Sequence, residues 1–115
     1  MKVHQWSQIT QEQLNPLCLR QVIHCANMTL GRLCLSKGCV VPEHSHPNEQ
    51  FTMLLEGKLK FVFGDRIQEL GPGEMLEIPP HAPHSVEALE DSVAIDLFAP
   101  RREDWLRGDD AYLRK

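Results

Sequence analysis

The chain of 115 residues lacks the features that mark several broad classes of protein. No apolar run approaches the roughly 18 residues that cross a bilayer as a helix. The opening segment, MKVHQWSQIT, holds no apolar stretch typical of a secretory signal. Basic residues are not in excess, since 12 Lys and Arg stand against 16 Asp and Glu, for a net charge of −4. These absences argue against a membrane or secreted protein, and against nucleic-acid binding, which favours a basic surface.

The cysteines lack the C-x-x-C spacing of zinc ribbons and of thioredoxin-like redox pairs. There are four, namely Cys18, Cys25, Cys34 and Cys39. Cys18 and Cys34 lie inside apolar segments, where a free cysteine acts as a small buried hydrophobic residue. Together with the missing signal, this predicts reduced thiols and a cytoplasmic location.

The sequence does contain a regular series of short apolar segments separated by turn residues. Eight of them are rich in Val, Ile, Leu and Phe: 17–24, 28–35, 50–56, 58–63, 66–70, 74–78, 84–88 and 92–98. Short strands at this spacing, without long helical patterns between them, predict an all-β sandwich or barrel. The length fits one domain that covers residues 1–115.

Turn and cap residues refine this prediction. The dipeptides Glu56-Gly57 and Gly64-Asp65 each predict a tight hairpin in which glycine supplies a positive φ. Near the amino terminus, Thr10 with Gln13 predicts a short helical turn. Residues 102–107 predict a short helix after Pro100.

The histidines point to chemistry because four of the six fall in two short clusters. His44 and His46 are two residues apart, and in a strand this spacing puts both rings on one face. Gln50 has the same parity, and His84 can approach from another strand after the turn at Pro79. Imidazole is the commonest protein ligand for first-row transition metals. We therefore predict a site of three histidines and one glutamine for one divalent Mn, Fe, Co, Ni or Zn ion, with positions open for water or substrate.

Neighbouring polar residues receive no ligand role in this prediction. Glu49 has the opposite parity to Gln50 and should face away from the site. His81 is interpreted as a residue of the rim or turn, and His4 and His24 have no partners in the sequence.

Two motifs carry a resemblance to the cupins. The first reads Gly38-x5-His44-x-His46-x3-Gln50-x6-Gly57, with glutamine where the cupin motif has an acidic ligand. The second reads Gly73-x5-Pro79-x-His81-x2-His84, with His81 where Gly or Asn is usual and Ala88 where the motif closes on Asn. The resemblance covers about residues 17–98. It implies an all-β, RmlC-like jelly-roll, that is, a small antiparallel β-barrel with a metal pocket in its mouth and short terminal helical turns.

The tail carries a narrower resemblance. The segment Asp96-Leu-Phe98-Ala-Pro100-Arg-Arg102-Glu-Asp104-Trp105-Leu106 resembles the small single-domain cupins called pectin degradation proteins. This resemblance implies conversion of 4,5-unsaturated uronates, the products of pectate and alginate lyases, into their linear ketonised form. It implies His44, His46, Gln50 and His84 as metal ligands and Asp96, Phe98 and Arg102 as catalytic, substrate-facing residues. The chain departs from the family pattern at Asn48, Ala99 and Arg101, where His, Ser and Pro are frequent.

The residues themselves favour a functional Asp96. Alternation puts Asp96 and Phe98 on one face of an apolar strand, where a carboxylate is costly unless it is paired, bound to a metal or catalytic. A salt bridge to an arginine is the competing interpretation. Arg101 and Arg102 both offer planar donors for a carboxylate, and Phe98 can be either a core residue or a wall of the pocket.

The glutamine ligand bears on the reaction. A neutral amide leaves more positive charge on the metal than a carboxylate does, which suits a Lewis acid better than redox cycling. The resulting hypothesis has Arg102 holding the substrate carboxylate, Phe98 packing on the ring and Asp96 moving a proton. Two alternatives stay open: an oxygenase or isomerase acting on another small polar molecule, and a sugar-binding module without turnover.

The opposite face of the same strand predicts a partner. Val93, Ile95 and Leu97, with Met53 and Leu55 on another strand, form an apolar surface too large to leave in water. We expect a homodimer formed by packing these sheets face to face.

Overall fold

A computed structural model describes all 115 residues and contains ten antiparallel strands in two sheets. The strands are β1 (Glu12–Asn15), β2 (Cys18–His24), β3 (Thr29–Leu35), β4 (Val40–His44), β5 (Glu49–Glu56), β6 (Leu59–Phe63), β7 (Arg66–Leu70), β8 (Met75–Ile78), β9 (His84–Ala88) and β10 (Ser92–Ala99). The helical elements are a 3-10 turn at Trp6–Gln8, helix α1 at Glu103–Leu106 and a last 3-10 turn at Ala111–Leu113. None of these helices has the length and apolar character needed to span a membrane.

The two sheets pack face to face as a jelly roll. One sheet has six strands in the order β1-β2-β3-β10-β5-β8, and the other has four in the order β4-β9-β6-β7. Alternate residues point into the space between them, as the pattern of β3 shows, where Thr29, Gly31, Leu33 and Leu35 are buried. The buried apolar residues of both sheets form one core. The all-β prediction is therefore confirmed, with strand bounds within one residue of the eight predicted segments.

The prediction of a helical turn at Thr10–Gln13 is wrong. The turn lies earlier, at Trp6–Gln8, and Gln13 belongs to β1, where it pairs with Leu19 of β2. No side chain caps the early turn. Pairing with an available sheet edge has overridden a weak local capping signal.

The two glycine turns have different outcomes. Gly64-Asp65 joins β6 and β7 in the expected hairpin, with Phe63 opposite Arg66. The hairpin at Glu56-Gly57 is wrong, because β5 and β6 belong to different sheets and the chain crosses between them there. Gly57 has a φ of +92°, and a Cβ atom on it would lie 2.3 Å from the carbonyl oxygen of Asp91. The glycine is required, but for a crossing rather than a hairpin.

Two further predictions concern the tail helix and the cysteines. The short helix expected at 102–107 is α1, which follows Pro100. All four cysteines are free thiols, and Cys18 is buried as predicted, but Cys34 is only half-buried and Cys39 is the second buried thiol.

Candidate metal centre

Three histidines converge at one end of the barrel. His44 is the last residue of β4, His84 is the first residue of β9, and the two are paired across the strands. His46 follows in the turn before β5. One potential ligand atom from each of the three rings lies within 4.8 Å of the other two. The structure therefore brings together the three histidines that the sequence singled out, and the cluster suits a metal ion.

The route by which His46 reaches the cluster differs from the one predicted. The spacing argument put His44 and His46 on one face of a single strand, but β4 ends at His44. His46 is positioned by the turn, where its backbone carbonyl accepts a hydrogen bond from the backbone N–H of His81 at 2.8 Å. A turn held by another loop, rather than strand parity, places the second ring.

Backbone carbonyls fix the tautomer of each ring. The Nδ1 atoms of His44, His46 and His84 lie 2.8 to 3.0 Å from the carbonyl oxygens of Pro42, Asn48 and Ala82, respectively. A carbonyl only accepts, so each Nδ1 carries the hydrogen and each Nε2 presents a lone pair. The Nε2 atom of His84 is buried and has no hydrogen-bond partner. Outer hydrogen bonds of this kind orient metal-ligating histidines.

Gln50, on β5, completes the donor set. Its Nε2 atom donates to the Oγ1 atom of Thr52 at 2.9 Å and lies 3.4 Å from Oδ1 of Asp96, so the amide oxygen is turned toward the histidines. That oxygen is 3.0 Å from Nε2 of His46. Both atoms present lone pairs, and two facing acceptors repel each other unless a cation or a shared proton lies between them. The four side chains therefore fit a transition metal by their donor chemistry.

The electrostatics of the pocket also favour a metal over a proton. Burial lowers the pKa of His44 to about 4. Burial, reinforced by the charge of Arg102, lowers the pKa of His46 to about 4 as well. Burial also lowers the pKa of His84. At neutral pH the rings are uncharged, which is the form that binds metals.

Asp96 lies beside the ligand set in the same cavity. It is on β10 opposite Thr52 of β5, and the Thr52 hydroxyl donates to its Oδ1 atom at 2.6 Å. Burial raises the pKa of Asp96 to about 6, although the hydrogen bonds from Thr52 and Gln50 oppose the rise. No arginine forms a salt bridge with Asp96, which removes the competing interpretation of this residue.

Arg102 is one of the most deeply buried side chains, with 1% of its surface exposed. Its Nε and Nη2 atoms form a two-pronged pair with Asp104 at 3.0 and 2.8 Å. The guanidinium also lies over the rings of Phe98 and Trp105, at 4.6 and 4.3 Å from their centroids. These contacts hold a cation rigidly at the wall of the cavity.

Phe98 and Arg101 show which of the remaining candidates reach the site. Phe98 is buried, lines the cavity and meets the ring of His46 edge-on at 5.6 Å, so it serves both as core and as pocket wall. Arg101 pairs with Glu103 at the surface and does not line the cavity. Of the two arginines suggested by the sequence, only Arg102 faces the site.

Comparison with known proteins places the chain in a family. Residues 31–98 match the family model described as the cupin domain. The chain belongs to the cupins. The resemblance predicted from the two motifs is therefore confirmed.

Several solved structures are similar in fold to this cupin. KdgF from Halomonas sp. is 27% identical, with 86% of this chain and 94% of that chain covered and a TM-score of 0.79. An RmlC-like cupin from Shewanella frigidimarina is 24% identical, with 91% and 96% covered and a TM-score of 0.84. Oxalate decarboxylase from Bacillus subtilis, of which only 28% is covered, is 19% identical with a TM-score of 0.75. No curated protein sequence matches this chain.

Several residues of this cupin's cavity were missed by sequence reasoning. Thr52 has the same strand parity as Gln50, so the alternation of β5 contained the signal. Trp105 lies within the tail segment that resembles the pectin degradation proteins, but the resemblance did not predict its contact with Arg102. Tyr112 lies in the last turn, outside every motif, and also lines the cavity. Nothing in the sequence indicated that the tail folds back over the barrel.

Proposed function

We propose that this cupin holds one divalent transition metal with His44, His46, Gln50 and His84 and converts 4,5-unsaturated uronates into their linear ketonised form. The observation that carries the proposal is that the Asp96 carboxylate and the buried Arg102 share one cavity with three of the four ligands, His44, Gln50 and His84. The tail motif, which resembles the pectin degradation proteins, supports the substrate class. The likeness to KdgF over most of the chain agrees with it.

The metal would act through charge. When bound, a divalent cation at this site supplies a Lewis acid that polarises a hydroxyl or ring oxygen of the substrate. Gln50 suits this role because a neutral amide, unlike a carboxylate, leaves the full charge of the ion available.

Arg102 and Phe98 position the substrate in this proposal. The buried guanidinium of Arg102 receives the C6 carboxylate, and its rigid packing means that little side-chain entropy is lost on binding. Phe98 offers an aromatic surface to the apolar face of the sugar ring. Neither residue changes its covalent state.

Asp96 moves the proton. In the closed sugar it removes the proton of the anomeric hydroxyl, the C1–O5 bond breaks, and C1 becomes the aldehyde while O5 becomes the oxygen of an enolate. The same proton is then delivered to C4, and C5 becomes a ketone, so the reaction is an isomerisation that needs no oxidant. A pKa of about 6 suits a group that must both accept and return a proton near neutral pH.

A turnover experiment tests the reaction. Unsaturated galacturonate made by a pectate lyase is followed at the enol absorbance band, with and without a chelator. We expect loss of the band with wild-type protein, no loss after metal removal, and at least a hundredfold slower loss with Asp96→Asn. Asp65→Asn, in the exposed β6–β7 turn, is the matched control and should behave as wild type.

Two outcomes would replace the proposal. An unchanged band in the presence of substrate binding would indicate a sugar-binding module. Consumption of dissolved oxygen would indicate an oxygenase. Full activity of Asp96→Asn would remove Asp96 from its role as proton carrier.

A second experiment tests the ligand set alone. His84→Asn should lose most of the bound metal, measured by elemental analysis after dialysis, because it removes an Nε2 lone pair that has no other use. His81→Asn is the control, since His81 is exposed in the same loop and has a φ of +67°, which asparagine tolerates. Equal metal content in both variants would contradict the assignment of His84.

A further inference from the structure

The carboxyl-terminal turn forms part of the cavity wall. Tyr112, in the turn Ala111–Leu113, lines the cavity, and its ring lies 4.7 Å from the ring of His44. The turn is anchored by the residue that follows Tyr112. Leu113 is buried, and its carbonyl oxygen accepts a hydrogen bond from Asn15 at 2.9 Å. Tyr112 is therefore held in place next to the candidate metal ligands.

The hydrogen bonds of the Tyr112 hydroxyl leave its own hydrogen without an acceptor. Its oxygen lies 2.7 Å from Nη2 of Arg102 and 3.2 Å from Nε1 of Trp105. Both partners are donors only, so the phenol oxygen accepts in both bonds. The phenolic hydrogen cannot point at either, and no group of the chain accepts it. It remains as an oriented donor at the cavity wall.

Arg102 has a matching free donor. Its Nε and Nη2 atoms are used by Asp104 and Tyr112, whereas Nη1 makes no hydrogen bond and is not sealed within the protein. The Nη1 hydrogens and the Tyr112 hydrogen belong to two side chains that touch each other. The free hydrogen-bonding groups of these two side chains are therefore donors alone.

We infer that Tyr112 and Arg102 together form a carboxylate subsite, in which the phenol donates to one oxygen of the ligand and Nη1 of Arg102 to the same carboxylate. An acid group matches these donors because it only accepts, whereas a hydroxyl or an ester satisfies them less well. The inference rests on the proposed function for the identity of the acid as a uronate. It adds a specificity residue that lies outside every motif.

Binding of an unreactive acid tests the subsite without turnover. D-galacturonate, its methyl ester and D-galactose are titrated by calorimetry into metal-loaded wild-type protein and into Tyr112→Phe. A hydrogen bond to a charged group typically contributes about 1.5 kcal/mol or more, so the variant should bind the acid about tenfold more weakly. Its affinity for the ester and for galactose should be unchanged.

The two neutral ligands, the methyl ester and D-galactose, distinguish a specificity role of Tyr112 from a purely structural role. If Tyr112 only supports the fold, the variant will lose affinity for all three ligands alike, and the inference fails. It also fails if wild-type protein binds the acid no better than the ester, a result that needs no variant. Metal content and thermal unfolding of Tyr112→Phe are measured beside the titrations.

The result is distinguishable from that of the proposed function. Selective loss of acid binding in Tyr112→Phe, with no turnover of unsaturated uronate by wild type, would keep the subsite and reject the reaction. Turnover by wild type with unchanged acid binding in the variant would keep the reaction and reject the subsite.

Discussion

At the scale of single residues, Asp96 combines two opposing demands. A carboxylate that exchanges protons with a substrate must lie out of bulk water, yet burial disfavours its charged form. The chain gives it hydrogen bonds from Thr52 and Gln50 rather than an arginine partner. These bonds limit the rise in pKa without neutralising the group. We therefore expect the buried Asp96 carboxylate to lower the stability of the folded protein.

This leads to a prediction for Asp96→Asn in metal-free protein. The folded-state pKa of about 6 lies above the ordinary aspartate value of 3.8, so wild type loses stability as the pH rises through about 6. Asparagine keeps an acceptor for Thr52 and Gln50 but carries no charge. After a discount for the half-buried position, the variant should be about 1–2 kcal/mol more stable than wild type near pH 8.

Urea unfolding measures the difference. The gap should close as the pH falls toward about 4, because the carboxyl group is then protonated in the folded protein. A variant that is less stable than wild type near pH 8 would show that the carboxylate is stabilised by its surroundings, against this interpretation.

At the scale of strands and turns, the sequence predicted the features that depend on local pattern. It did not predict the features that depend on how distant segments of the chain come together. The period of two in β3 and β10 fixed their bounds and the inward position of Asp96. The crossing at Gly57 could not be seen, because a glycine turn looks the same whether the next strand pairs or changes sheets. The tail is the other gap, since contacts of Tyr112 with Arg102 depend on how the chain folds back over the barrel.

The tail is held by a buried ion pair, which gives a prediction for Asp110. Its Oδ2 atom lies 2.8 Å from Nη2 of Arg20, and both side chains are at most 4% exposed. Two further nitrogens of Arg20 have no partner, and its guanidinium lies 4.5 Å from the Trp105 ring. Asp110→Asn would leave the buried cation with Glu12 as its one charged partner, and that carboxylate is 3.2 Å away and 36% exposed. We expect a loss of about 2–4 kcal/mol in the free energy of unfolding.

The neighbouring residue provides the control. Asp109 pairs with Arg107, but both side chains are more than 60% exposed. Asp109→Asn should change stability by no more than about 0.5 kcal/mol in the same urea titration. Similar losses for the two variants would mean that burial does not decide the strength of this tail contact.

At the scale of the whole molecule, the outer face of the six-stranded sheet has an apolar centre, with a basic residue on its β3 side and acidic residues on its β5–β8 side. Strand registry places Leu30, Leu97 and Phe51 in one row, and Ile95 beside Met53 in the next. On the β3 side, Arg32 bonds to Gln21 and Cys34 but has no acidic partner. The β5–β8 side carries two exposed acids, Glu56 and Glu77. A second copy related by a two-fold axis would place the β3 side of one chain, with Arg32, against the acidic β5–β8 side of the other.

We therefore predict a homodimer through this face. Light scattering at tens of micromolar should give twice the chain mass of 13.2 kDa. Ile95→Lys, at the centre of the face, should give monomers, because a lysine there cannot be covered without losing its hydration. Ile67→Lys, on exposed β7 of the other sheet, should stay dimeric. A monomeric wild type would contradict the prediction.

The stacking of Trp105 has an optical consequence. The indole lies against the guanidinium of Arg102, and its Nε1 hydrogen is shared with the oxygen of Tyr112. A molecule that binds the Tyr112 phenol or the Arg102 guanidinium changes the electric field across the indole. The fluorescence emission of Trp105 therefore changes as well. Trp6 is the one other tryptophan and does not line the cavity. Replacing it by phenylalanine would leave a protein whose fluorescence reports, without any added label, whether its cavity is filled.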